Sequence, residues 1–278
     1  MSILVTGASG TIGSLVVQGL AAAGAQVRAF VRKPGKQSFP AGVAEAVGDL
    51  TDVASLRAAL SSVRTLFLLN AVTPDEVTQA LVALNLARDA GVERIVYLSV
   101  IHADRYTNVP HFTGRRMVAG MSSDSSMRND LTIQQVIRDH GVYPMPIGSA
   151  GVAMVDTRDI ADVAVAELLR RDAAPAPLPR LTLDLVGPEA LTDATAATTW
   201  ATALGREVIH GVTDLAAFEQ QLASFGPAWL AYDMRLMMAG IQKIGMRGDA
   251  GAVDQLQAIL GRPLRTYAAF VSEAVKAG

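Results

Sequence analysis

Residues 4–13 read LVTGASGTIG, an apolar run that meets glycines at positions 7, 10 and 13. Apolar residues then recur at helical spacing through Ile12, Leu15, Val16 and Leu20, so the stretch predicts a strand, a tight turn and a helix. Each glycine has its own reason in that geometry. Gly7 can adopt the backbone angles of a tight turn, Gly10 has no side chain to block a pyrophosphate, and Gly13 lets the helix pack closely on the strand. The free amides that open the helix would then face phosphate oxygens. Glycine spacing alone is a weak signal, and the same letters can make an ordinary strand-to-helix turn. What gives it weight is its place at the head of an alternating α/β chain.

Downstream, residues 27–31, 65–69 and 94–99 read as strands, while 53–60 and 75–90 read as helices. The alternation predicts a doubly wound parallel sheet of Rossmann type, with continuous apolar strands buried on both faces. After residue 99 the rhythm changes. A loop spans 102–110, a short helical candidate starts at Phe112, and SSDSS fills 122–126. Helices follow at 131–140, closed by Gly141, and at 156–171, with a carboxylate at its positive end and arginines at its negative end. The proline-rich DAAPAPLPR at 172–180 predicts a stiff linker. It divides the chain into a nucleotide-binding domain, 1–171, and a smaller, mostly helical domain, 181–278. The latter has a strand candidate at 181–186 and helices at 192–204, 214–224, 227–244 and beyond Pro263.

Composition excludes several classes of function. The chain has 278 residues, half of them hydrophobic, and a net charge of −2. With a pI near 6.1, it has no global basic field, which argues against nucleic acid as partner. With no cysteine, there is no disulfide framework, thiolate nucleophile or cysteine-ligated metal. The N-terminus has no basic leader, and no apolar run approaches the roughly 20 residues that span a bilayer. A soluble, cytoplasmic protein without membrane contact is expected. His102, His111, His140 and His210 are scattered without metal-ligand spacing, so no metal is expected, and GASG at 7–10 lacks the GxSxG pattern of a hydrolase.

The second strand ends in Arg32 and Lys33, with Lys36 further on and no acid between Gln26 and Val43. A cofactor with free ribose hydroxyls favours an acid there, so these cations point to the 2′-phosphate of NADP, although solvated loop cations read the same way. Asp49, in VGDL, follows a short third strand and can reach an adenine amino group, or it can cap the next helix. Asn70, ending FLLN, stands at the carboxyl end of the fourth strand, where ligands of open sheets gather, or it satisfies a turn.

Taken in order, LVTGASGTIG, VRKPGK, VGDLTDVASLRAAL with FLLNAV, ARDAGVERIVYLSV, VPHFTGRR, MVDTRDIADVAV and LGRPLRTYAAF resemble the NmrA-like group of atypical short-chain dehydrogenases/reductases. The resemblance spans nearly the whole chain. It implies a Rossmann-type domain, a smaller C-terminal domain and NADP in the cleft between them. It also implies either a reductase of quinones and related small carbonyl or conjugated compounds, or a cofactor-binding redox sensor that regulates a protein partner. By that resemblance Gly7, Ser9, Gly10, Thr11, Ile12, Gly13, Arg32, Lys33, Asp49, Leu50, Asn70 and Ala71 are nucleotide contacts, and Ser99 lies beside the nicotinamide. Many relatives carry a lysine at the place of Arg115 and a glutamate at that of Ala119. The segment after them is shortened here to MSSDSSMRND, so residues 119–128 are expected to be irregular and the sixth strand is in doubt.

The wider superfamily uses a tyrosine acid and a lysine four residues later; the matching pair here is His111 and Arg115. A histidine side chain ordinarily titrates near neutrality, so one at position 111 can donate a proton, while Arg115 stays charged and can hold the ribose or a developing oxyanion. The same two residues also fit a polar loop and a solvated helix charge. Trp229, Tyr232, Leu236, Met237, Ile241 and Ile244 form an apolar helical stripe, read as core, dimer face or substrate lid. Asp156, Asp159 and Asp162 are read as a solvated or capping face. Together these readings predict an NADPH-dependent reductase of a small molecule, monomer or homodimer, with a catalytically silent NADP(H) sensor as the alternative.

Overall fold

The computed structural model describes residues 2–35, 37–112, 121–122, 126–211 and 214–277, with main chain alone at 121–122. β1 (Ser2–Val5) leads into α1 (Thr11–Ala22), β2 (Val27–Val31), β3 (Ala44–Val47), α2 (Val53–Ala59), β4 (Val63–Leu68), α3 (Glu76–Asp89) and β5 (Arg94–Ser99). Then come β6 (Met121–Ser122), a 3-10 helix at Met127–Thr132, α4 (Gln134–His140), β7 (Val142–Tyr143), α5 (Thr157–Ala173) and β8 (Leu183–Asp184). α6 (Asp193–Leu204), β9 (Ile209–His210), α7 (Leu215–Ala223), α8 (Ala228–Ile244), α9 (Ala252–Leu260) and α10 (Tyr267–Ala277) complete the chain.

The main sheet runs β3-β2-β1-β4-β5-β6-β8, and every pairing in it is parallel. Successive side chains of a strand point to opposite faces, and both faces here are apolar. Ile3, Val5 and Phe67 meet α1 and α5 on one side; Leu4, Leu66 and Leu68 meet α2 and α3 on the other. Each such side chain contributes about 1.5–3 kcal/mol when fully buried. α1 and α5 come close because Gly19 carries no side chain: a Cβ there would lie 2.8 Å from Val165.

The strand order reverses between β1 and β4, which opens the crevice where doubly wound sheets bind ligands. The sixth strand, in doubt from the sequence, is present. Met121 and Ser122 pair with Leu98 and Ser99 on one side and with Leu183 and Asp184 on the other. Two residues suffice to continue the sheet because β8 is waiting as the next neighbour. The expectation of an irregular segment is corrected at these two positions; residues 119–120 and 123–125 lie outside the described residues.

Strand pairing crosses the expected linker twice, since β8 extends the main sheet and β7 pairs with β9. The linker itself is fastened by arginines that satisfy its main-chain carbonyls. Arg94 donates to Ala174 O at 2.7 Å and Arg171 to Pro179 O at 3.1 Å. The aspartate series also differs from expectation. Asp156 does cap α5, accepting from Arg158 N at 2.8 Å, but Asp159 is buried and paired with Arg262 and Arg265. This brings LGRPLR back onto α5 and makes that face an ionic joint, not a solvated surface. α9, framed by Gly251 and Gly261, has no counterpart among the helices expected from the sequence.

Candidate functional site

The turn after β1 is built as its glycines require. Gly7 has φ +62°, a conformation that disfavours a Cβ, and Gly10 N donates to Gly7 O at 2.9 Å. A Cβ on Gly13 would overlap the Gly7 carbonyl, so α1 rests directly on the turn. Thr6 locks the ends of β1 and β4 together: its hydroxyl donates to Leu69 O at 3.0 Å and accepts from Leu69 N at 2.8 Å.

Three observations show that this turn fits a dinucleotide. α1 starts at an extended Gly10 with no side-chain cap, so no side chain competes for its opening amides. Ser9, Gly10 and Thr11 are exposed, whereas Ile12 packs on the core and fixes the helix. Asn70, buried at the end of β4, donates through Nδ2 to Glu76 O at 3.1 Å, and its Oδ1 has no hydrogen-bond partner among the described residues. A buried acceptor of this kind suits a ribose or carboxamide donor.

Arg32 and Lys33 follow β2 as exposed cations; Lys36 lies outside the described residues. Asp49 accepts from Thr51 Oγ1 at 2.6 Å and from Thr51 N at 2.9 Å. These hydrogen bonds hold its carboxyl below the usual range, with Arg32 adding a smaller attraction. Asp49 therefore closes a local turn, and the cap of α2 is Asp52, which accepts from Ala54 N at 3.0 Å. Leu50 packs partly buried beside α2 and Ala71 is exposed just beyond Asn70. The structure thus gathers the glycine turn, Asn70 and Ser99 at the carboxyl ends of β1, β4 and β5.

Ser99 is buried at the end of β5. On the segment that follows, His111 is buried too, and its partner is a residue the sequence reading did not single out. Asp233 of α8 accepts from His111 N at 3.2 Å, and its other oxygen accepts from His111 Nδ1. The two side chains are 4% and 1% exposed, so the pair is shielded from water. The imidazole meets Phe112 edge-on at 4.6 Å, and Phe112 meets Tyr106 edge-on at 5.2 Å. The Tyr106 hydroxyl in turn donates to Gly245 O, just past α8. The signal for Asp233 was a carboxylate inside the apolar stripe of α8. That stripe is split between core and surface: Ile241 is buried, whereas Trp229, Tyr232 and Ile244 are exposed. Arg115, the expected companion of His111, lies outside the described residues, as does Ala119.

One of the scattered histidines lies in an acidic group. His102, Asp184 and Asp249 place ligand-type atoms within 4.8 Å of one another. His102 Nε2 lies 2.7 Å from Arg247 O, which only accepts, so Nε2 carries the proton; Arg105 donates to Asp249 at 2.8 Å. The group is an internally compensated polar joint between the β5 loop and the α8–α9 connection.

Strand order, reversal point and bare glycine turn define a dinucleotide-binding α/β protein. Residues 7–142 match the family model described as NAD(P)H-binding. Over 96% of each chain the sequence is 32% identical to NAD(P)H azoreductase of Xenophilus azovorans. Over 97% of each it is 29% identical to quinone oxidoreductase 2 of Escherichia coli (strain K12). The crystal structure of an NADPH-dependent quinone oxidoreductase from Escherichia coli, complexed with NADPH, superposes with a TM-score of 0.82 at 26% identity, covering 98% of this chain and 99% of that one. The chain belongs to the NAD(P)H-binding, NmrA-like family of atypical short-chain dehydrogenases/reductases. It is an NAD(P)H-linked oxidoreductase acting on small molecules. Among the described residues no helix is long and apolar enough to cross a membrane.

Proposed function

We propose that the chain uses NADPH to reduce a small planar acceptor of the quinone, azo or conjugated carbonyl class. The observation that carries this reading is the uncapped glycine turn facing the same crevice as Asn70, in a chain similar along its whole length to an azoreductase and a quinone oxidoreductase. Reduced nicotinamide supplies the hydride when bound. The amides of residues 10–13 bind the pyrophosphate, Arg32 and Lys33 take the 2′-phosphate, and Asp49, Leu50 and Ala71 border the adenosine side. Asn70 and Ser99 orient the nicotinamide end. His111 holds the proton that the reduced acceptor needs, and Arg115 steadies the ribose or the developing anion. Most of the acceleration comes from orientation of the acceptor. The cytoplasm, which maintains reduced NADPH, is the compartment this reading requires.

The test is NADPH oxidation across a panel of quinones, azo dyes and enals, beside direct titration with NADPH and NADH. Turnover with at least one acceptor and tighter binding of NADPH support the reading. Tight binding with no oxidation by any acceptor overturns it in favour of a silent sensor. The exposed Phe225, Trp229 and Tyr232 at the α7–α8 corner would then be the surface to examine for a partner.

A further inference from the structure

We infer that a second small-molecule site lies beside α1 and takes a small organic monoacid, with the carboxylate on Arg128 and an apolar body between Leu15, Leu131 and Phe270. The site is a cavity of about 430 Å³ between α1, the 3-10 helix, the start of α5 and one face of α10. Cavities of about 300–1,000 Å³ are the usual size for small organic ligands. Among its described lining residues, none is one that the cofactor or the acceptor is given above. The inference therefore stands apart from the reductase reading.

The lining sorts into an apolar floor and a small set of charges. Leu15 and Leu131 pack partly buried against the core, and Phe270 and Ala274 are buried on α10. Gln134 donates to Ala274 O at 3.0 Å and ties α4 to α10 across the cavity. Two arginines line the same space, and their engagements differ. Arg158 gives Nε and Nη2 to Asp156, at 3.0 and 2.6 Å, and its Nη1 pairs with Glu273 at 2.9 Å. Its fork is taken up within the wall. Arg128 donates through its main-chain nitrogen to Ser126 Oγ at 3.1 Å, and its guanidinium has no hydrogen bond or ion pair to the described residues.

An exposed arginine alone marks no site, since most surface arginines are solvated. Arg128 differs in lining a cavity with an apolar floor, whose other arginine is already held by two carboxylates. Those carboxylates exceed Arg158 by one negative charge, so an anion is turned away from them and toward Arg128. A carboxylate accepts two parallel N–H bonds from a guanidinium and so matches the free fork. Inorganic phosphate matches the fork too, but it has no apolar surface to bury against Leu15, Leu131 and Phe270.

The experiment is isothermal titration of the full chain, saturated with NADPH, with 2-naphthoate and with octanoate. 2-Naphthalenemethanol and inorganic phosphate supply the apolar body and the anion separately. At least one acid is expected to bind, one molecule per chain, and each control to bind at least about tenfold more weakly. Arg128→Ala should weaken acid binding about tenfold to a hundredfold, the range of a charge-assisted hydrogen bond. Ala277→Trp fills the cavity from an exposed lining position and should abolish binding. NADPH affinity should stay within about twofold in both variants, since neither position lines the glycine turn. No binding of either acid, equal binding of the alcohol, or full affinity retained in either variant overturns the inference. Acid that binds the free chain but is displaced by NADPH also overturns it, because that acid occupies the crevice.

Discussion

The turn between β1 and α1 is held by apolar packing and missing side chains, whereas the segment after β5 is fastened by buried polar groups from distant parts of the chain. Around the turn, Val5, Ala8 and Val16 are buried, and Gly13 makes the close approach. Around the segment, His111 meets Asp233 across 122 residues of sequence, and Tyr106 reaches Gly245 across 139. Apolar packing tolerates exchange among similar shapes, while a buried polar pair fails when either partner is lost. The turn should therefore be sensitive to volume and the segment after β5 to hydrogen-bonding chemistry.

Gly13→Val gives the largest expected effect. Its side chain would force the Gly7 carbonyl away, with a cost of about 3 kcal/mol or more and loss of measurable NADPH binding by fluorescence titration. Retained binding would show that the turn is softer than its packing implies. His111→Ala comes next, with NADPH binding kept and turnover lowered by about 10²–10⁴-fold. Unchanged turnover would remove His111 from the chemistry and leave the polar side purely structural.

A second polar joint is tested by pH. Asp130 is buried beside Tyr143 and Tyr267, and Trp200 Nε1 donates to the Tyr267 hydroxyl at 2.9 Å. Burial pushes the Asp130 carboxyl up to about 6 from 3.8, even though both tyrosine hydroxyls donate to it. The folded state thus favours the protonated acid. Its contribution to stability is complete below the unfolded value and is lost as pH rises through about 6, a difference of about 3 kcal/mol. Asp130→Asn should remove this dependence. In chemical denaturation, the stability of the unaltered chain relative to the variant should fall by that amount between about pH 2 and about pH 7. Parallel curves would show that the carboxyl is not desolvated. The smallest effect is expected for Arg32→Ala, with NADPH affinity down about tenfold to a hundredfold and NADH affinity unchanged.

The same contrast explains what the sequence made legible. LVTGASGTIG specifies its turn with neighbours in the chain, and strands β2 and β5 match the apolar runs at 27–31 and 94–99. Helical spacing likewise located α6 and α8 to within a residue or so. The two-residue β6 was in doubt and the β7–β9 pair escaped notice because so short a strand has no periodicity, and its existence depends on what lies beside it. Asp233 was passed over for a related reason. Its neighbours on α8 advertise an apolar stripe, and only the fold shows that the one carboxylate in it meets His111. Asp159 was misread as solvated because its partners, Arg262 and Arg265, are about a hundred positions away.

The central claim, that NADPH bound at the glycine turn gives its hydride to a small planar acceptor, is met most directly by single-turnover stopped flow. Protein loaded with NADPH deuterated at the reactive carbon is mixed with a quinone, and the nicotinamide absorbance is followed. The account predicts loss of that absorbance at a rate slowed by deuterium. Bound NADPH whose absorbance persists with every quinone and azo compound offered would contradict it.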